Sequence, residues 1–334
     1  MATVDIHYIK AALNCNFRNG IDIESLLTDV NINHDLLSTP GARVSGEQMT
    51  RLVKLTWASL QDEFMGCTPY PCKQGVFALM TRHALHYESL QAILEQGIHF
   101  YNLFTNDIQM RLVQRGHNVE LIAHFTHPEA DPDHFYQEFW LVIWHRFASW
   151  VIGKKIPLIQ VSFPYPKPAH HMELKYLFPC RHLFNRSELK FSFDARYLNH
   201  QPVRTQRELS HFLKHSPADL ITIPGDEKSV KTSIRSLLLS NQKEALICPP
   251  FEEIAQRFGM STQTLRRKLK SEGSAYPQIK DEIRRDLAIE KLYSQKLSIT
   301  EISNLLGYSE PRSFTRAFKQ WTGLTPKAYL NSKR

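Results

Sequence analysis

Residues 253–270 read EIAQRFGMSTQTLRRKLK, and residues 301–319 read EISNLLGYSEPRSFTRAFK. The second stretch repeats the first. Glu253-Ile254-Ala255 and Phe258-Gly259-Met260-Ser261 recur as Glu301-Ile302-Ser303 and Leu306-Gly307-Tyr308-Ser309, 48 residues on. Leu265, Arg267, Leu269 and Lys270 recur as Phe314, Arg316, Phe318 and Lys319 at an offset of 49. Each copy predicts a helix, a glycine turn and a helix capped by serine, Ser261 in one copy and Ser309 in the other. That is the layout of a helix-turn-helix.

The second helix of each copy has two faces. In the first copy Leu265 and Leu269 point inward, while Gln263, Arg266, Arg267 and Lys270 share the other face at spacing i, i+3, i+4, i+7. In the second copy Phe314, Ala317, Phe318 and Trp321 form the inward face, and Arg312, Thr315, Arg316 and Lys319 line the outward one. A helix in a major groove needs an apolar back and a donor-rich front. Arginine can bond guanine through two donors, and glutamine can pair adenine. Lysine, serine and threonine suit phosphates, which the positive end of a helix also attracts. Either helix alone would pass for an ordinary amphipathic surface helix. Two copies in register set that explanation aside.

Charge points the same way. Residues 228–334 hold 20 Lys/Arg against 10 Asp/Glu, whereas residues 1–227 hold 21 against 23. The whole basic excess therefore sits in the last third, which predicts a polyanionic partner for that part. All 16 histidines lie between His7 and His215. The five cysteines, Cys15, Cys67, Cys72, Cys180 and Cys248, are odd in number and scattered, which argues against a disulfide framework. Residues 1–20 lack the basic start and apolar run of a signal peptide. The most apolar long stretch, residues 139–152, is too short to span a bilayer and contains His145 and Arg146. The expected location is the cytoplasm, on the nucleoid.

Working outward, the basic third reads as all helix. A helix capped by Asp226 carries Val230, Ile234, Leu237 and Leu238. Pro249-Pro250 precedes the first repeat, whose second helix stops near Gly273. A long helix from Tyr276 to Gln295 carries Ile279, Ile283, Leu287, Ala288 and Leu292. Ser298-Ile299-Thr300-Glu301 forms a capping box, and Thr325-Pro326 opens the last helix. Seven helices follow, with helix-turn-helix units at about 251–272 and 299–322. Residues 216–229, rich in proline, glycine and acid, read as a linker between a domain at 1–215 and one at 230–334. The first domain mixes periods. Helices are expected over 48–60, 89–104, 133–153 and from 207, and near 23–30. Strands are expected over 108–114, 118–126, 156–163 and 189–193, the first two joined by a hairpin at Arg115-Gly116-His117-Asn118. The fold class is an α+β amino-terminal regulatory domain with a mixed or antiparallel sheet, followed by an all-α tandem helix-turn-helix domain.

These residues also carry a resemblance. Ile302, Leu306-Gly307-Tyr308-Ser309, Ser313-Phe314, Arg316-Ala317-Phe318-Lys319, Trp321-Thr322-Gly323, Thr325-Pro326 and Tyr329 resemble the signature of the AraC/XylS family of bacterial transcription regulators. Arg285, Leu287-Ala288 and Leu292 fit that family's linking helix. The match covers about Val230 to Leu330. It implies two recognition helices held rigidly, entering successive major grooves about one helical turn (~34 Å) apart. Carried over residue by residue, it implies base reading by Gln263, Arg266 and Arg267, then Arg312, Ser313 and Arg316, with Lys270 and Lys319 beside them. Ser303, Tyr308 and Leu330 depart from the usual alanine, phenylalanine and arginine, and the last departure implies one phosphate contact fewer.

Further toward the amino terminus, Gly75-Val76-Phe77-Ala78-Leu79, Ser89-Leu90, Phe163-Pro164-Tyr165-Pro166 and Leu198-Asn199-His200-Gln201-Pro202 resemble the arabinose-binding-type domain of one AraC subgroup. That subgroup includes amino-acid-catabolism regulators such as the ornithine one. The resemblance implies a sensor. The aromatic series Phe135, Tyr136, Phe139, Trp140, Trp144, Phe147 and Trp150 reads as core, with a ligand pocket as the alternative. Arg82 and His83 could meet an anionic effector or simply lie on the surface. His83/His86 and His124/His127, three apart, and the adjacent His170-His171 could bind metal but read as ordinary histidines, and the Cys67/Cys72 pair has no second cysteine pair. A methyl-acceptor enzyme with a four-cysteine zinc site is disfavoured because Cys15 and Cys180 stand isolated. The expectation is a regulator without catalytic residue, cofactor or metal. Its expected partners are double-stranded promoter DNA, a small-molecule effector, a second copy of itself and RNA polymerase, and no membrane. The alternatives are a first domain that only dimerises, and an enzyme fused to a DNA-targeting module.

Overall fold

A computed structural model describes residues 3–38, 42–215, 230–240, 245–272, 274–293 and 297–331. In chain order they form β1 (Thr3–Asp5), α1 (Ile6–Arg18), α2 (Ile23–Asp29), β2 (Arg43–Ser45), α3 (Gly46–Leu60), α4 (Val76–Ala84) and α5 (Leu90–Phe104). Then come β3 (Ile108–Arg115), β4 (Asn118–Phe125), α6 (Phe135–Val151), β5 (Leu158–Ser162), α7 (His171–Leu177), β6 (Arg181–Leu183), β7 (Leu189–Asp194) and α8 (Gln206–His215). After them the described residues are all helical: α9 (Val230–Ser240), α10 (Phe251–Arg257), α11 (Thr262–Ser271), α12 (Tyr276–Tyr293), α13 (Ile299–Leu305), α14 (Pro311–Thr322) and α15 (Pro326–Asn331). The expected linker at 216–229, the Asp226 cap, the Gly273 stop and the Gln295 end of the long helix lie outside the described residues.

The chain folds into two compact units that interleave along the sequence. One comprises residues 7–26 and 50–225; the other comprises residues 1–6, 27–49 and 226–334.

The first of these units is built on a five-stranded sheet of order β3-β4-β7-β5-β6. All its pairs are antiparallel except β5 with β6. The β3–β4 hairpin closes between Arg115 and Asn118. Gly116 takes φ +60° at the first central position, and this positive φ gives the turn the twist that a two-residue hairpin needs. Helix α6 is buried on nearly every side, so its apolar residues need not follow a single stripe. Helix α5 packs closely on it. A Cβ at Gly97 would stand 2.9 Å from Trp144 Cη2 and 3.1 Å from Met80 Sδ. Tyr101 meets Trp140 edge to face at 4.9 Å between ring centres.

Asp131, His145 and Arg146, buried in this unit, each make hydrogen bonds. The Asp131 carboxylate accepts from the Tyr136 and Gln137 amides at 2.9 and 3.0 Å and so satisfies the start of α6. Burial raises its pKa to about 6. Arg146 Nη1 donates to His145 Nδ1 at 2.7 Å, which leaves His145 Nε2–H to donate to the Ile156 carbonyl at 2.8 Å. Acceptance at Nδ1 requires a neutral imidazole. Burial and Arg146 accordingly lower the His145 pKa to about 3.

In the other unit, β1 and β2 pair as an antiparallel ribbon, Thr3 with Ser45 and Asp5 with Arg43. The Tyr329 hydroxyl of α15 donates to the Arg43 carbonyl. Ile279, Ile283, Leu287, Ala288 and Leu292, the expected stripe of α12, are all buried.

Candidate nucleic-acid interface

The sequence repeat reappears as a repeat of backbone bonds. At the end of α10, Phe258 N donates to Ile254 O, Gly259 N to Gln256 O and Met260 N to Ala255 O, at 3.2, 2.9 and 3.0 Å. At the end of α13, Leu306 N donates to Ile302 O, Gly307 N to Asn304 O and Tyr308 N to Ser303 O, at 3.0, 3.0 and 3.1 Å. Every donor and acceptor is displaced by the same 48 positions. Gly259 and Gly307 have φ of +62° and +74°, the left-handed conformation that ends a helix and that glycine adopts without strain. The turns differ in their surroundings. A Cβ at Gly259 would meet nothing within 4 Å, whereas one at Gly307 would lie 2.7 Å from the Leu246 carbonyl oxygen.

The helices after the turns begin differently. Ser261 Oγ caps α11 by accepting from Thr264 N at 3.2 Å. The cap expected at Ser309 does not form. Glu310 is the extended residue before α14, and Pro311 stands within its first turn. Proline disfavours a helical conformation in the residue before it, so the helix starts one residue later than the serine suggests. The capping box at the start of α13 forms as expected. Ser298 Oγ accepts from Glu301 N at 3.2 Å, and Glu301 Oε2 accepts from Ser298 N at 2.7 Å. Those bonds hold the Glu301 carboxyl below the usual range.

Behind the recognition faces, Leu265, Leu269, Phe314 and Phe318 are fully buried. Ala317 and Trp321, expected inward, are half-buried. On the front, Gln263, Arg266, Arg267 and Lys270 of α11 and Arg312, Arg316 and Lys319 of α14 are exposed, while Ser313 is half-buried. Thr315, also expected on the front, is half-buried, and its hydroxyl donates to Pro311 O at 2.9 Å. Arg267, Lys270, Arg312, Arg316 and Lys319 form no ion pair or hydrogen bond among the described residues. Five cations without internal partners on two helix fronts are available to an external anion. Arg266 differs from them, because its guanidinium lies 5.7 Å from the Phe251 ring centre.

Helix α12 holds both repeats. Near its start the Tyr276 hydroxyl donates to Pro249 O at 2.6 Å, and the ring packs on Phe251 at 5.5 Å. Burial pushes this phenol up to about 12, so it remains a donor. Eight residues later, or about 12 Å along a helix, Arg284 Nε donates to Leu306 O at 3.2 Å and its guanidinium lies 4.8 Å from the Tyr308 ring. Asp286 is buried between Arg235 and Arg285, at 2.7 and 3.1 Å. The carboxylate of Glu272 accepts from the Val230 and Lys231 amides at 2.9 and 2.8 Å and closes the start of α9. Sequence reading assigned no roles to Arg284, Asp286 or Glu272. Their only signal in the sequence is charge, which reveals no partner.

A tandem of helix-turn-helix units, braced by one helix and basic on both exposed fronts, defines a DNA-binding transcription regulator. The family models agree. Residues 20–202 match the arabinose-binding amino-terminal domain of AraC transcription regulators, and residues 254–332 match a helix-turn-helix domain. The chain belongs to the AraC family of transcription regulators that carry this amino-terminal domain. It is similar to the ornithine utilization regulator of Pseudomonas aeruginosa, 23% identical over 98% of this chain and 96% of that protein. It also resembles the transcriptional regulator VqsM of the same organism, 26% identical over 73% of this chain and 76% of that one. Among solved structures, the transcriptional regulator CdpR from P. aeruginosa aligns over 97% of this chain and 98% of its own, with 18% identity and a TM-score of 0.34.

Proposed function

We propose that the protein sets transcription of its target promoter by placing α11 and α14 in two successive major grooves, under control of a small molecule bound in the unit built on the five-stranded sheet. The observation that carries the first half is the set of unpartnered cations on two helix fronts that follow matching glycine turns. In this reading Gln263, Arg266, Arg267, Arg312, Ser313 and Arg316 read bases, and Lys270 and Lys319 bind phosphates. Residues 230–334 supply the DNA-binding machinery and the sensing role lies within residues 1–215. The protein works in the cytoplasm as a homodimer that engages RNA polymerase, and catalyses no reaction. Among the described residues no helix is long and apolar enough to cross a membrane.

A cavity of about 120 Å3 supports the second half. Trp57, Phe64, Phe77, Tyr101, Tyr136 and Trp140 are among the residues that line it. An apolar cavity of about 150 Å3 admits benzene, so this one suits a ligand the size of a single ring. An effector must bind one functional state better than the other to act as a switch.

Two measurements test the proposal. Arg316→Ala should weaken specific promoter binding by about 1–3 kcal/mol, as for a base-reading arginine. Unchanged affinity would remove the assigned role. A thermal-shift screen of ring-sized metabolites should find a ligand that stabilises the protein. The absence of any such ligand would favour a first domain that only dimerises.

A further inference from the structure

Cys15 and Cys67 stand 52 positions apart in sequence, yet their sulfurs are 2.8 Å apart. That is only about 0.8 Å beyond the ~2.05 Å bond of a disulfide. Both side chains are buried.

The approach is built from two sides. Cys15 lies on α1, where Asn16 Nδ2 donates to Thr56 Oγ1 at 2.8 Å and ties that helix to α3. Cys67 lies on the loop between α3 and α4, which the Asp62 carboxylate organises. It accepts from the amides of Phe64, Gly66 and Cys72 at 2.8, 2.7 and 2.6 Å. Met65 and Gly66 then take φ of +58° and +69°, turning the loop back toward α1. A Cβ at Gly66 would lie 2.2 Å from Asn19 Nδ2, so only glycine lets the loop come this close. Asn19 itself is fixed by donating to Cys15 O at 2.8 Å.

The chemistry around the two sulfurs is unequal. Arg18 Nη2 donates to Cys15 Sγ at 3.2 Å. The hydrogen bond with Cys15, together with burial, pushes the Cys67 thiol up, so Cys67 stays protonated and can donate to Cys15. Cys72, on the same loop, is raised by burial next to Glu63 and Asp62 and has no sulfur partner among the described residues.

We propose that Cys15 and Cys67 are a reversible redox site, converted from dithiol to disulfide by an oxidant of the peroxide class. The sulfur of Cys15 attacks the peroxide oxygen. An S–O bond forms, the O–O bond breaks, and one water leaves, so Cys15 becomes a sulfenic acid. The sulfur of Cys67 then attacks that of Cys15. An S–S bond forms, the S–O bond breaks, and a second water carries away the remaining proton. Two thiols lose two electrons and two protons, and one hydrogen peroxide is reduced to two waters. A dithiol reductant reverses the step. In a reducing compartment such a bond is transient, which suits a sensor rather than a structural staple. The bond would fix α1 to the loop that carries Glu63 and Phe64, two residues of the cavity wall. The redox step does not depend on that cavity binding an effector.

The test uses the reduced full-length protein, exposed to hydrogen peroxide, quenched in acid, unfolded, alkylated and mapped by peptide mass spectrometry. The expected product is a Cys15–Cys67 cross-linked peptide, with two of the five cysteines lost to alkylation and both restored by dithiothreitol. The C180S/C248S double variant should give the same cross-link. C15S should leave all remaining cysteines alkylatable, whereas C67S should give no cross-link and leave Cys15 oxidised and unalkylated. Five alkylatable cysteines in the wild-type protein after peroxide would overturn the proposal. So would a Cys67–Cys72 bond, or a sulfinic acid at Cys15 beside unmodified Cys67. The wild-type map needs no variant to fold.

Discussion

Replacing each turn glycine by alanine separates two costs that the repeat otherwise keeps together. Gly259 and Gly307 have nearly the same φ, so alanine in the left-handed region costs about 1–2 kcal/mol at either site. Alanine also restricts the unfolded chain, which returns about 0.4–1 kcal/mol. Gly259→Ala should therefore destabilise by roughly 1 kcal/mol, because its methyl enters open space. At Gly307 the methyl would sit 2.7 Å from the Leu246 carbonyl oxygen. That carbonyl cannot simply retreat, since Leu246 N donates to Leu305 O at 2.6 Å. Forcing an extra methyl into a packed site costs about 1–3 kcal/mol, giving a total near 2–4 kcal/mol for Gly307→Ala. Urea unfolding of the full chain gives the stability of each variant. Hydrogen exchange resolves which helices open, with α13 and α14 expected to lose more protection in G307A than α10 and α11 lose in G259A. Equal losses, or a larger loss in G259A, would refute the packing of Leu246 on the second turn.

Lys319→Ala should weaken binding to specific and unrelated DNA alike, and should reduce the slope of log affinity against log salt by about 1; an unchanged slope would mean that Lys319 touches no phosphate. Acid should destabilise the unit built on the five-stranded sheet. The His145 pKa is depressed from 6.5 to about 3, so its contribution is complete above 6.5 and shrinks as pH falls toward 3. By pH 4 the loss from this group is roughly 3 kcal/mol, read from unfolding at pH 7 and pH 4. Asp131 works in the opposite sense. Its raised pKa favours folding at low pH and removes that support as pH rises from about 4 to 6. The wild-type loss should therefore be smaller than for an Asp131→Asn variant, which lacks the aspartate's opposing dependence. Gly97→Ala should cost about 1–3 kcal/mol in thermal or urea unfolding, because its methyl meets the Trp144 ring.

What the sequence disclosed was local or repeated. The capping box at Ser298, the Ser261 cap and the hairpin at Gly116 each depend on residues within a few positions of one another, and the tandem repeats its pattern at a nearly fixed offset, so spacing alone exposes them. The misplaced cap at Ser309 was local too, and there the conformational demand of Pro311 outweighed the preference of serine for a cap. The rest was hidden by distance along the chain. Strands of three residues, such as β1 and β2, carry too little periodicity to register. Cys15 looked isolated because its partner comes from a loop beyond α3. The cavity draws its wall from α3, α4, α5 and α6 and the loop before α4, so the aromatic series on α6 could be read as core without revealing the space beside it. Among the site residues, exposure on α11 and α14 followed from helical period, whereas the stacking of Arg266 on Phe251 required the α10–α11 geometry.

The hydroxyl of Tyr329 on the Arg43 carbonyl joins groups 286 positions apart. During synthesis Arg43 of the ribbon leaves the ribosome 286 residues ahead of Tyr329 in the helix that anchors it. At about 5–20 residues per second the ribbon waits roughly 15–60 seconds for that anchor. A nascent chain or a premature-stop product lacking α15 would present β2 without its tyrosine. This contact thus closes only after the five-stranded sheet between its two partners has been translated.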